Sequence, residues 1–186
     1  MSEEMLSALD EVYTEANRLV AAIDDDQWAA STPCTEWDVR ALVNHMMVTS
    51  KVLAASARRQ APSADAEADH LGDDPTGSFA AQGADTLAAW RGQGALDGMV
   101  EVPVEMPAVA ALGVNILDVG THVWDLATAT GQPFGLSDTT IGIIDEWNHN
   151  VVSDEVRAGG GFGEVLEPAS GDRLSTMLAF VGRSTG

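Results

Sequence analysis

The chain has 186 residues, 45% hydrophobic and 20% charged, values of a folded globular chain rather than a disordered one. Twenty-nine acidic against nine basic residues give a net charge of −20, which excludes a basic face for nucleic acid and opposes docking on an anionic membrane. One cysteine, Cys34, excludes an internal disulfide and a cysteine-rich zinc site.

The first predicted element is a helix. Met5, Leu9, Val12, Ala16, Leu19 and Ile23 recur at gaps of four and three, with Leu6, Tyr13 and Val20 widening the stripe. Asp24-Asp25-Asp26 ends it, because a carboxylate cluster is unfavourable at a helix C-terminus. A Ser-Thr-Pro-Cys-Thr loop follows, and a second helix opens near Asp38, a good N-cap, and runs to about Ala57. Residues 60–77, rich in Ala, Asp, Pro and Ser, read as a long solvated connection. Phe79 to Trp90 reads as a weaker third helix. Met99 to Pro107 alternates apolar and acidic residues, and its prolines predict an extended connection or an edge strand. Ala108 to Thr130 is predicted helical again, stopped by Gly131 and Pro133. A fifth helix is expected over Asp138–Val156, then a glycine turn at 159–161 and a short helix over Leu174–Val181. Together these elements predict an all-α chain, a four-helix bundle with extra short helices, forming a single domain over 1–186. No apolar run approaches the roughly 18 residues of a membrane span. The acidic opening Met1-Ser2-Glu3-Glu4 is the reverse of a secretory or transit signal, so the expected location is cytoplasmic.

The candidate chemistry lies in the helix over 108–130. Ile116, Leu117, Val119, Val123, Trp124 and Leu126 point around most of its circumference, which predicts burial. Yet Asp118, His122 and Asp125 follow at spacings of four and three and share one stripe, with Asn115 on the same side. Burying carboxylate and imidazole together is costly unless they pair or coordinate a cation. The Asp118/His122 pair can present two ligand atoms to one ion, and His45, inside an otherwise apolar helix, is the natural third. Two imidazoles and a carboxylate leave a position open on the metal, as catalytic sites do. Asp125 could orient the His122 ring or reach a bound ligand. A hydrogen-bonded Asp118–His122 pair without metal is the competing reading. Asn115, Trp124 and His149 are candidate pocket residues, Cys34 has no histidine near it in sequence to activate it as a nucleophile, and His70 reads as solvated.

Thr32-Pro-Cys-Thr-Glu-Trp-Asp-Val-Arg-Ala-Leu-Val-Asn-His45 resembles the opening signature of actinobacterial DinB-like proteins, among them the N-terminal domain of mycothiol-dependent maleylpyruvate isomerase. Asp118-Val-Gly-Thr-His-Val-Trp-Asp-Leu-Ala-Thr-Ala-Thr-Gly-Gln-Pro133 is similar to the second signature, and Asp172 to Arg183 to the usual ending. The resemblance implies a bundle holding one divalent ion, zinc or nickel, on the positions of His45, Asp118 and His122. The family often has Glu where this chain has Asp118. In the isomerase the position of Asp125 is associated with the thiol ligand, which implies a catalytic or cofactor-binding role. The implied function is a small-thiol (mycothiol)-dependent transferase or isomerase acting on an electrophilic small molecule. The alternatives are a non-catalytic or repurposed small-molecule-binding bundle, or a metal-dependent hydrolase. A homodimer through a bundle face is compatible with such a fold.

Overall fold

A computed structural model describes residues 2–35, 37–61, 65, 68–102, 104–158 and 162–184. The expected glycine turn at 159–161 lies outside these residues. Helix α1 (Ser2–Ala21) carries Glu3 and Glu4 in its first turn and Arg18 in its last, both favourable to the helix dipole. Helix α2 (Val39–Ala57) is capped by Asp38, whose carboxylate accepts from the Ala41 amide at 2.8 Å. Helix α3 (Pro75–Trp90) starts a turn earlier than expected. Asp74 accepts from the Gly77 amide at 2.9 Å and Pro75 occupies the first helical turn, so an N-terminal start signal sits inside the segment read as connection.

Strands β1 (Met99–Val102) and β2 (Val104–Pro107) pair antiparallel, Val102 opposite Val104 and Met99 opposite Pro107. Among the described residues each has a single strand neighbour, so Pro107 needs no second ladder partner. Helix α4 (Ala108–Thr130) ends at Gly131, whose φ of 66° is the left-handed stop. The fifth helix expected over 138–156 is divided into α5 (Asp138–Val151) and α6 (Asp154–Ala158). Val152 leaves helical geometry at ψ 86°, and the Ser153 hydroxyl accepts from the Val156 amide to start the next turn. Helix α7 (Arg173–Phe180) is capped by Asp172.

The molecule is an all-α bundle with one small hairpin. Helices α1, α3, α2 and α4 close a ring in that order, each touching its two neighbours; α5 covers α4 and α1, and α7 packs on α5. Helix α4 is buried on nearly all sides, as its all-round apolar pattern requires. A hydrogen-bonded network crosses the core. The Trp90 indole N–H donates to Asn115 Oδ1 at 3.0 Å, Asn115 Nδ2 donates to the Tyr13 hydroxyl at 3.1 Å, and that hydroxyl bonds Ser50 Oγ at 2.7 Å. It joins α3, α4, α1 and α2 and gives both polar atoms of the buried Asn115 amide a partner. No described helix is long and apolar enough to cross a membrane.

Two glycines let α5 approach α4. A Cβ at Gly120 would meet Ile144 Cδ1 at 2.5 Å, and one at Gly113 would run into the Trp147 indole. Helix propensity alone would make Gly113→Ala stabilising by about 1 kcal/mol. Against the rigid indole we expect a net loss instead, overpacking costing about 1–3 kcal/mol. Urea unfolding compared with the parent measures it; a stabilised variant would show that the α4–α5 seam is not tightly packed.

Candidate metal centre

The α2–α4 seam brings His45, Asp118 and His122 together. His45 Nε2 lies 3.2 Å from Asp118 Oδ1, and the two imidazole rings meet edge-on with centroids 5.0 Å apart. One ligand atom from each of the three residues lies within 4.8 Å of the other two. A first-row cation bound at about 2.0–2.2 Å holds such donors about 3.3–3.6 Å apart, so the His45–Asp118 pair is already at that separation and no pair would have to close by more than about 1.5 Å. Asp118 Oδ2 is buried and has no hydrogen-bond partner among the described residues. A buried carboxylate oxygen without a donor is costly. The donor set and this orphaned oxygen therefore fit a divalent cation.

The indole of Trp37 walls the site, its centroid 4.4 Å from the His45 ring and 5.8 Å from that of His122. Its loop is shaped locally. Thr32 Oγ1 donates to the Trp37 carbonyl at 2.9 Å and accepts from the Cys34 amide at 3.1 Å. The backbone pairs Ser31 with Asp38 just before α2 begins. Cys34 and Trp37 are thus held over the seam.

Behind His122 lies a second cluster. Asp125 Oδ2 accepts from His122 Nδ1 at 2.8 Å, from the Cys34 thiol at 3.2 Å and from Arg183 Nη2 at 2.8 Å. Its Oδ1 accepts from Arg183 Nε at 3.0 Å. Cys34, His122 and Asp125 also have metal-ligand spacing. However, the guanidinium already sits against the same sulfur, at 3.1 Å, and the same carboxylate oxygen. A dication there would face an Arg cation, so the His45/Asp118/His122 set is the better one.

Electrostatics follow from these contacts. Burial opposes the Asp118 charge, but His45 together with smaller contributions from His122 and the Thr49 hydroxyl outweighs it, and its carboxyl is held below the ordinary range. Burial likewise opposes protonation of His45, and Asp118 overcomes that to raise its pKa. Asp125 is held far below the usual carboxylate range, burial being overridden by His122 and Arg183. Burial, then the Asp125 charge, push the Cys34 thiol up to about 12.

The other candidates lie elsewhere. Asn115 belongs to the core network, and Trp124 is buried within the hydrophobic core. His149 is half-exposed on α5, its ring stacked on Phe180 at 3.9 Å. His70, read as solvated, bonds Lys51 Nζ at 3.0 Å and the Asp65 carbonyl at 2.7 Å. Spacing gives no signal for Cys34 or Arg183, although both stand in segments that carry the family resemblance. A protonated, half-buried thiol has a direct consequence. Alkylation of Cys34 by iodoacetamide at pH 8 should run about a hundredfold or more slower in the folded protein than in denatured chain. Equal rates would contradict the buried hydrogen-bonded thiol.

The chain matches the family described as mycothiol maleylpyruvate isomerase N-terminal domain over residues 9–127. Two uncharacterized proteins of Mycobacterium tuberculosis, one from each of two strains, are 30% identical over 120 residues, 61% of this chain and 60% of theirs. The chain thus spans about three fifths of the length of these relatives. No solved structure matches. His45, Asp118, His122 and Asp125 all fall inside the matched residues, whereas Arg183 lies beyond them. On a match over most of its length, the chain belongs to the mycothiol maleylpyruvate isomerase N-terminal domain family.

Proposed function

We propose that this chain binds one divalent metal ion, zinc or nickel, through His45, Asp118 and His122, and serves a small-thiol-dependent transfer or isomerisation of an electrophilic small molecule. The observation that carries the metal reading is the buried Oδ2 of Asp118, which has no hydrogen-bond partner among the described residues and lies beside two imidazoles at ligand spacing. Mycothiol is the thiol that the family's description names.

A divalent ion held by His45, Asp118 and His122 would supply a Lewis acid that favours the ionised form of a thiol near neutral pH. The chain's own groups do the rest. His45 and His122 offer neutral ring nitrogens, and Asp118 offsets the ion's charge. Asp125 accepts the hydrogen bond from His122 Nδ1 and so leaves the lone pair of a neutral ring on Nε2. Its oxygens accept four hydrogen bonds, which favours orienting the ring over removing a proton during turnover. Cys34, the chain's single cysteine, is held protonated and is a poor nucleophile. The attacking thiol therefore comes from a separate small molecule. The indole of Trp37 shields the imidazoles from water on one side.

Protein purified without an affinity-metal column should carry, or take up, close to one equivalent of zinc or nickel by mass spectrometry. His45→Ala, Asp118→Ala and His122→Ala should each bind at least about tenfold more weakly with helicity unchanged. Stoichiometric metal in all three variants would overturn the site. Protons compete for the same nitrogens. Zinc affinity is therefore full at higher pH and lost as pH falls. Because Asp118 raises the His45 pKa, that loss should begin above the ordinary histidine range. A pH-independent affinity between pH 5 and 8 would contradict imidazole ligation. Given metal, mycothiol and an electrophile such as an activated alkene, turnover that disappears in His122→Ala supports the transferase reading. Tight thiol binding without turnover would move the protein to a binding role.

A further inference from the structure

Arg183 is a cation in a strongly acidic chain, yet it is turned inward, 9% exposed, and not spent on the surface. Its guanidinium is held on every side. Nη1 donates to the Val181 carbonyl at 2.9 Å, Nε and Nη2 clasp the two oxygens of Asp125, and Nη2 also reaches the Cys34 sulfur at 3.1 Å. Asp125 itself has no exposure. Helix α7, from which this segment emerges, is seated on α5 and α6. There the Phe180 ring stacks on His149 at 3.9 Å and lies under the Arg157 guanidinium at 4.7 Å.

We propose that Arg183 is a positioning residue for the metal centre, acting through Asp125 on the ring orientation and tautomer of His122. The physical chain is short. A bidentate guanidinium fixes the plane of a carboxylate, because two parallel N–H···O bonds leave it no rotation about its Cβ–Cγ bond. The fixed Asp125 Oδ2 then accepts from His122 Nδ1, and an ionised carboxylate can only accept, so the proton of a neutral ring resides on Nδ1. The remaining nitrogen, Nε2, then carries the free lone pair that a metal ligand needs. Without Arg183, one hydrogen bond from the Cys34 thiol and one from His122 would be left to hold Asp125, and its carboxylate could turn. Arg183 touches neither metal nor substrate; it sets how a ligand is presented.

The tautomer is a property of the metal-free protein, and only the affinity readout rests on the metal reading above. In protein with ¹⁵N-labelled histidine, two-bond proton–nitrogen correlation at mildly alkaline pH should show His122 with Nδ1 protonated and Nε2 bare. Arg183→Gln should average the two ring nitrogens toward mixed tautomers and weaken zinc binding about tenfold to a hundredfold. Arg183→Lys, which keeps the charge but not the fork, should recover part of both. In an Asp125→Asn background Arg183→Gln should add little, since its path is already cut. A parent spectrum with Nε2 protonated would overturn the proposal. So would an Arg183→Gln variant unchanged in tautomer and zinc affinity, or losses from Arg183 and Asp125 that simply add. If Arg183→Gln does not fold, the parent and Arg183→Lys spectra decide. A parent that binds no zinc would remove the metal reading, while the tautomer spectra still judge Arg183.

Discussion

A carboxylate with no exposure cannot remain charged in an apolar interior unless something answers for it, and in this protein the answer to Asp125 organises the site. Arg183 balances its charge, Cys34 and His122 complete its hydrogen bonds, and three separate chain segments are thereby drawn to one point. The loop before α2, the middle of α4 and the segment after α7 would otherwise have little reason to meet. The neighbouring Asp118 has the opposite condition. One of its oxygens is paired with His45 and the other has no hydrogen-bond donor among the described residues, so the two carboxylates of one stripe divide into a saturated one and an open one. Saturation suits a support, and an open oxygen suits a ligand.

This division needs a helix that can be buried all round while carrying polar groups. Helix α4 meets the need by spreading apolar residues over most of its surface and replacing two with glycine, where Trp147 and Ile144 of α5 close in. The network from Trp90 through Asn115 to Tyr13 and Ser50 uses a further polar position of α4 to tie it to three other helices. Buried hydrogen bonds of this kind specify one arrangement among several that apolar contact alone would accept. The relative height of α2 and α4, on which the spacing of His45 from Asp118 depends, is therefore set partly by groups that never touch the site.

How much of this could be read from the sequence follows from the range of each interaction. The 3.6-residue period and its stop signals are local, so α4 was legible to its ends, and α2 to its cap. The juxtaposition of Asp118, His122 and Asp125 is also local, since spacings of four and three place residues on one face. Asn115 shows the limit of that rule: it lies on the same side, a turn away, and there faces Trp90 and Tyr13 instead. The break between α5 and α6 hung on a serine cap, a small effect against a continuing helical pattern. Arg183 could not be paired from spacing at all. It stands 58 residues from Asp125, and in so acidic a chain any arginine has many plausible surface partners. Arg40 and Arg91 took such partners, Asp69 and Asp10.

The clamp on Asp125 joins positions 149 residues apart at its widest, from Cys34 to Arg183. Contacts so distant along the chain form late, because the entropy of closing the intervening loop must be overcome before they contribute. A growing polypeptide that has cleared the ribosome through α4 already possesses both imidazoles and both carboxylates. It acquires the guanidinium only after residue 183 has emerged. Synthesis thus supplies every side chain of the seam before the group that clamps it.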